Sequence, residues 1–219
     1  MPRNLIITEF IALFAILPLV VAYATISFYV ILLPMFVAFA YAVWWLFFCK
    51  KIHWHDFWRS ASIEVEKKQL KFILIRFTIC LVLLLGFVLL LYPDKFLNFP
   101  LQYPLFFLLF VVAYPVLSVF PQELLYRTFF FERYQTIFNS PKSMIVASTL
   151  AFSYLHVMYH NYEAVVLTLV GGYFFSRSYQ ITRSLLLTCF EHSLYGILVF
   201  ALGLGGFFVR GLKELGLVL

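Results

Sequence analysis

Apolar residues run along this chain in long blocks, unlike the short alternations of a soluble domain. Seven blocks, near residues 5–24, 28–48, 72–92, 104–126, 143–160, 163–180 and 184–209, each approach the ~20 residues a helix needs to cross a ~30 Å hydrocarbon core. Polar positions between them are few, and the only long polar segment is CKKIHWHDFWRSASIEVEKKQLK, at 49–71. The pattern predicts an all-α fold: a polytopic membrane helical bundle of about seven transmembrane helices. An eighth, short or re-entrant segment at 203–219 is the alternative, because Arg210 and Lys213 would otherwise emerge on the less basic side. Pro18, Pro34, Pro104 and Pro115 lie in or beside the blocks and predict kinks, since neighbouring helices satisfy the carbonyls a proline frees.

Composition agrees. The chain is 64% hydrophobic and 12% charged with a mean hydropathy of +0.96, whereas roughly a quarter of a soluble domain is charged. The net charge of +6 is therefore read as retention of basic loops in the cytoplasm, not as nucleic-acid binding. Lys50, Lys51, Arg59, Lys67, Lys68 and Lys71 put the 49–71 loop, and with it the N-terminus, on that side. Cys49, Cys80 and Cys189 are odd in number and sit in or beside apolar runs, so no disulfide framework is expected. Ala22-Tyr23-Ala24 looks like a cleavage site, but Glu9 interrupts the run before it and apolar character continues to Phe48, so a first membrane helix is expected there. The short loops point to a bacterial inner membrane, with lipids as the immediate partners. Residues 1–100 are expected to form N-terminal transmembrane helices around the basic loop, and 101–219 the functional core.

The candidate chemistry lies in polar residues within the blocks: Glu9, Gln122, Glu123, Arg127, His156, Glu191 and His192. A charge at mid-bilayer costs ~2.5–3.5 kcal/mol on insertion scales, so each is expected to face the bundle interior with a partner. Glu123 and Arg127 are four apart, on one helical face. At ~1.5 Å per residue, Glu123, His192 and His156 fall ~16, ~12 and ~20 Å inside the cytoplasmic boundary. Three ionisable groups from three helices in one slab predict a polar cavity. Phe152 and His156, and His192 and Gly196, are i,i+4 pairs on the same helices. His160, near the outer boundary, is expected to meet headgroups, and the aromatic runs TFFFERY and GGYFF to face lipid.

QELLYR, then FSYLH about thirty residues on, then HSLYG about thirty-five further on, resemble the motifs of the CPBP family: the CAAX prenyl endopeptidases and the bacteriocin-processing or immunity (Abi) proteins. Its pattern is EExxxR, FxxxH and Hxxx(N/D) on successive membrane helices. The likeness covers roughly residues 105–205. It implies an intramembrane endopeptidase acting on a peptide or membrane-protein substrate, with no metal or other cofactor and with a cavity opening to the cytoplasm. Carried over, Glu123 with His156 activates a water, Arg127 braces Glu123, and His192 stabilises the oxyanion. Two positions depart: Gln122 stands where the family has its first glutamate, and Gly196 where it has Asn or Asp. An amide is no general base, so either Glu123 itself serves, or Glu191 supplies the missing carboxylate from another helix.

Other readings compete. Glu123, His156 and His192 make up a ligand set known in catalytic zinc sites, a minor alternative without an HExxH motif. A non-catalytic membrane scaffold or regulatory protein of the same fold fits the altered motifs. A transporter using the Glu and His as a proton relay is disfavoured by the lack of an inverted repeat.

Overall fold

A computed structural model describes residues 2–23, 28–53 and 62–209. Among them every regular element is helical. Eight helices follow one another: α1 (Arg3–Tyr23), α2 (Phe28–Trp44, continued over Trp45–Cys49), α3 (Ile63–Leu91), the short α4 (Asn98–Gln102), α5 (Pro104–Arg133), α6 (Pro141–Leu155), α7 (Tyr162–Thr182) and α8 (Leu185–Ala201). Each of the seven apolar blocks thus becomes one helix of an integral membrane bundle, and α4 is an addition between the third and fourth.

Helices α1, α3 and α5 are each long and apolar enough to cross a bilayer on their own. They show large apolar side chains outward, Leu83 and Leu90 from α3 and Leu105 and Val112 from α5. Helices α6 and α7 are held together differently, by hydroxyl groups turned toward each other. Ser153 donates to the Val165 carbonyl at 2.8 Å, Ser176 to Ser148 at 3.1 Å, and Ser148 on to the Tyr126 carbonyl of α5 at 2.7 Å. In lipid, where apolar surface gives helices no reason to associate, such bonds and close packing hold a bundle together.

Local sequence sets the boundaries. Ser62 caps α3 by accepting from the Val65 amide at 3.2 Å, so this helix starts at Ile63 instead of near 72 and extends into the basic segment. Ser140 and Ser143 form a reciprocal capping box at the start of α6. The block expected to run to 209 stops at Ala201, because Gly203 adopts φ 88° where a Cβ would overlap the Lys95 carbonyl. Residues 205–208 then form a single 3₁₀ turn; Arg210 and Lys213, and with them most of the expected eighth segment, lie outside the described residues.

Helices α1 and α2 share one core with α5 and α6. Here two expectations are corrected. Phe129, Phe130 and Phe131, expected at the lipid wall, are at most 2% exposed, because α1, α2 and α6 surround this half of α5. At the basic-loop end of the bundle Phe130 packs edge-on with Phe10, Phe14 and Tyr134, Phe129 edge-on with Tyr134, and Phe131 against Phe130 and Tyr179. His160 does not simply meet headgroups: its Nε2 donates to the Ala22 carbonyl at 2.9 Å, satisfying one of the free carbonyls in the last turn of α1.

Candidate active site

Helix α5 carries Gln122 and Glu123 between two stretches of wider, π-helical turn, Pro115–Val119 and Leu124–Phe129. Such turns recur at functional sites because they re-aim the side chains around them. Glu123 is 0% exposed. One of its oxygens, Oε1, lies 2.8 Å from His192 Nδ1 on α8. The other, Oε2, is 3.1 Å from Arg127 Nε, within ion-pair distance but outside hydrogen-bond alignment. The Arg127 guanidinium is itself fully buried. Its Nη groups have no hydrogen-bond partner among the described residues, and it rests on the rings of Phe152 at 4.7 Å and Phe175 at 5.6 Å.

On the other side of His192, its Nε2 is 3.2 Å from the Tyr114 hydroxyl of α5. Phe175 stacks on the imidazole at 4.6 Å and Phe152 meets it edge-on at 5.5 Å, fixing the plane of the ring. The result is a chain from Arg127 through Glu123 and His192 to Tyr114. It ends at a cavity of about 490 Å³ lined by Tyr114, Ser118, Gln122, Phe152, His156, His192 and Gly196 among mostly apolar neighbours.

His156 also lines the cavity, but no hydrogen bond or ion pair joins it to Glu123. Its Nδ1 is 2.8 Å from the Phe152 carbonyl and so donates, which leaves Nε2 as the nitrogen available on the cavity side. Glu123 does not line the cavity; the motif position that does is Gln122, whose amide donates to Ser118 at 2.8 Å. Glu191 is turned away altogether. One residue from His192 is about 100° around a helix, and Glu191 accepts instead from Arg76 at 2.8 Å and Ser178 at 2.5 Å. It therefore does not supply a carboxylate to the cavity.

The cavity extends toward Phe99, Tyr159 and Phe208, in the connections at the end of the bundle opposite the basic loop. An opening toward the basic-loop side was expected, but the buried Phe129–Phe131 cluster fills the interior there. As a zinc site the residues do not fit: Glu123 binds His192 while His156 is held by a backbone carbonyl. Among the described residues no three His, Cys, Asp or Glu side chains gather where they could hold a metal.

Residues 104–198, from the start of α5 almost to the end of α8, match the family described as type II CAAX prenyl endopeptidase Rce1-like. These helices resemble the Rce1-like family. No curated protein and no solved structure matches the chain. The matched family is one of proteases, and QELLYR, FSYLH and HSLYG all fall inside the matched segment; with its long apolar helices the chain is an integral membrane protein. The polar positions within the apolar blocks, with the three motifs they match, supplied Glu123, Arg127, His156 and His192 from sequence. Tyr114 escaped them as one phenol in an apolar run, although its spacing with Ser118 and Gln122, i, i+4 and i+8, is a signal of a shared face.

Proposed function

We propose that the chain is an intramembrane endopeptidase in which the Glu123–His192 pair activates a water held in the cavity. The observation that carries this reading is the 2.8 Å contact between Glu123 Oε1 and His192 Nδ1, with the opposite nitrogen of the same ring on the cavity side. A carboxylate accepting Nδ1–H fixes the tautomer whose Nε2 has the lone pair, and stabilises the imidazolium that forms when that nitrogen takes a proton. His192 is thus the base, where the family resemblance alone gave it the oxyanion. Glu123 works through it without touching substrate. His156, with Nδ1 occupied by the Phe152 carbonyl, presents its second nitrogen to orient the water. Residues 101–219 form the working core, residues 1–100 its wall, and hydrolysis runs on these side chains without metal or cofactor. The substrate is a peptide or membrane-protein segment, not nucleic acid.

The excess of Lys and Arg near 49–71 supports a cytoplasmic N-terminus, and the short loops support a bacterial inner membrane. Substrate then enters the cavity from the opposite end of the bundle. A second reading, a non-catalytic membrane scaffold, is favoured by one observation: the motif side chain facing the cavity is the amide of Gln122. Mapping of new peptide N-termini in host membranes decides between them, with wild type compared to Glu123→Gln and His192→Ala at matched expression. Termini lost in both variants support the peptidase; an unchanged set of termini rules it out.

A further inference from the structure

The third motif ends at Gly196, where the resemblance calls for an Asn or Asp whose side chain helps hold the oxyanion. The structure shows what occupies that space. A Cβ built at Gly196 would overlap the Tyr114 hydroxyl and the adjoining ring carbons, so residue 196 can bear no side chain while Tyr114 stands where it does. Tyr114 is firmly placed: its ring stacks on Phe110 at 4.8 Å and lies against Phe200, and its hydroxyl reaches His192 Nε2 at 3.2 Å. Both Tyr114 and Gly196 line the cavity. The bare α-carbon at 196 on α8 thus leaves room for the Tyr114 hydroxyl of α5, which stands at the cavity where a side chain at 196 would otherwise be.

We propose that Tyr114 is the oxyanion donor of this enzyme, a role that rests on the peptidase reading above. In the resting state its O–H donates to the lone pair of His192 Nε2. When a peptide enters, the hydroxyl turns to the carbonyl oxygen of the scissile bond and leaves Nε2 free for water. The water oxygen attacks the carbonyl carbon, its proton passes to Nε2, and the electron pair of the C=O bond moves to the oxygen, where Tyr114 O–H holds it. Collapse of this intermediate breaks the C–N bond, and the proton on Nε2 passes to the departing nitrogen. One water is consumed, one acid and one amine are released, and His192 and Tyr114 return to their starting states.

The test follows the His192-dependent termini in host membranes, using full-length wild type, Tyr114→Phe, Tyr114→Ala, Tyr114→Ala with Gly196→Asn, and His192→Ala at equal expression. Tyr114→Phe removes one oxygen and keeps the ring packing, so the cleavage rate at saturating substrate is expected to fall ~10²–10³-fold, the loss seen for one oxyanion donor, with half-saturation unchanged. Tyr114→Ala with Gly196→Asn restores the α8 donor in the space that the ring vacates, and is expected to cleave at least tenfold faster than Tyr114→Ala alone. If Tyr114→Phe cleaves at the wild-type rate while His192→Ala does not cleave, the peptidase stands and the role of Tyr114 is overturned. If no terminus depends on His192, both readings fall. Should Tyr114→Phe lower the thermal stability, the paired variant decides: rescue upholds the proposal and no rescue rejects it.

Discussion

Glu123 and Glu191 lie on neighbouring helices of one bundle, both fully buried and both paired with an arginine, Arg127 and Arg76 respectively. Their surroundings differ in what is left over. Around Glu191, Arg76 occupies one oxygen and Ser178 the other, while Gln69 donates to Ser178 at 2.9 Å; the carboxylate is fully bonded within a clasp joining α3, α7 and α8. Around Glu123, the arginine is misaligned, its outer nitrogens make no hydrogen bond among the described residues, and the well-formed bond goes to an imidazole that borders a cavity. Charge inside a membrane bundle is thus an insufficient mark of function. What separates the two carboxylates is whether their hydrogen bonds close on one another or lead to a space where a substrate can sit.

The largest effect that breaks the comparison is expected from Arg127→Met. It leaves Glu123 buried without its cation, and loss of one partner of a buried pair costs about 3–5 kcal/mol. Unfolding in detergent micelles should show this loss together with loss of cleavage in the membrane assay. Glu191→Gln comes next. It retains an acceptor but removes the charge that Arg76 and Ser178 address, so about 1.5–3 kcal/mol of stability should go while cleavage per folded molecule persists. If Glu191→Gln abolishes cleavage at full stability, the clasp is no mere clasp. The smallest effect is expected from Ser178→Ala, about 1 kcal/mol measured in the same unfolding experiment, since Arg76 still holds the carboxylate. A drop as large as that of Arg127→Met would show that the two sites are coupled.

The helices were legible because lipid imposes a length and a composition on each, and seven apolar blocks became seven helices. Their ends were less so. Residues 63–71 look like loop by hydropathy, yet Ser62 starts a helix through them. At the site, similar depth put Glu123, His156 and His192 in one slab near the midplane. Depth says nothing about the angle around the helix axis, so it did not show that Glu123 bonds to His192 while His156 stands apart from both. The same missing angle hid the pairing of Glu191 with Arg76. Tyr114 was hidden for another reason: its meaning lies in the hydrogen atom that Gly196 carries in place of a side chain, and that relation appears only when α5 and α8 are side by side.

The pairing of Glu9 with Arg133 and Tyr134 ties the first helix to the end of the fifth across 124 and 125 residues of chain. During synthesis at about 5–20 residues per second, the carboxylate of α1 waits roughly 6–25 s for its partner to emerge. For that interval α1 lacks the pairing that holds Glu9 in the finished bundle. The N-terminal helix is thus the first to be made but gains this tie only when α5 is complete, and nascent chains arrested before Arg133 should leave Glu9 more open to carboxyl-modifying reagents than the complete protein does.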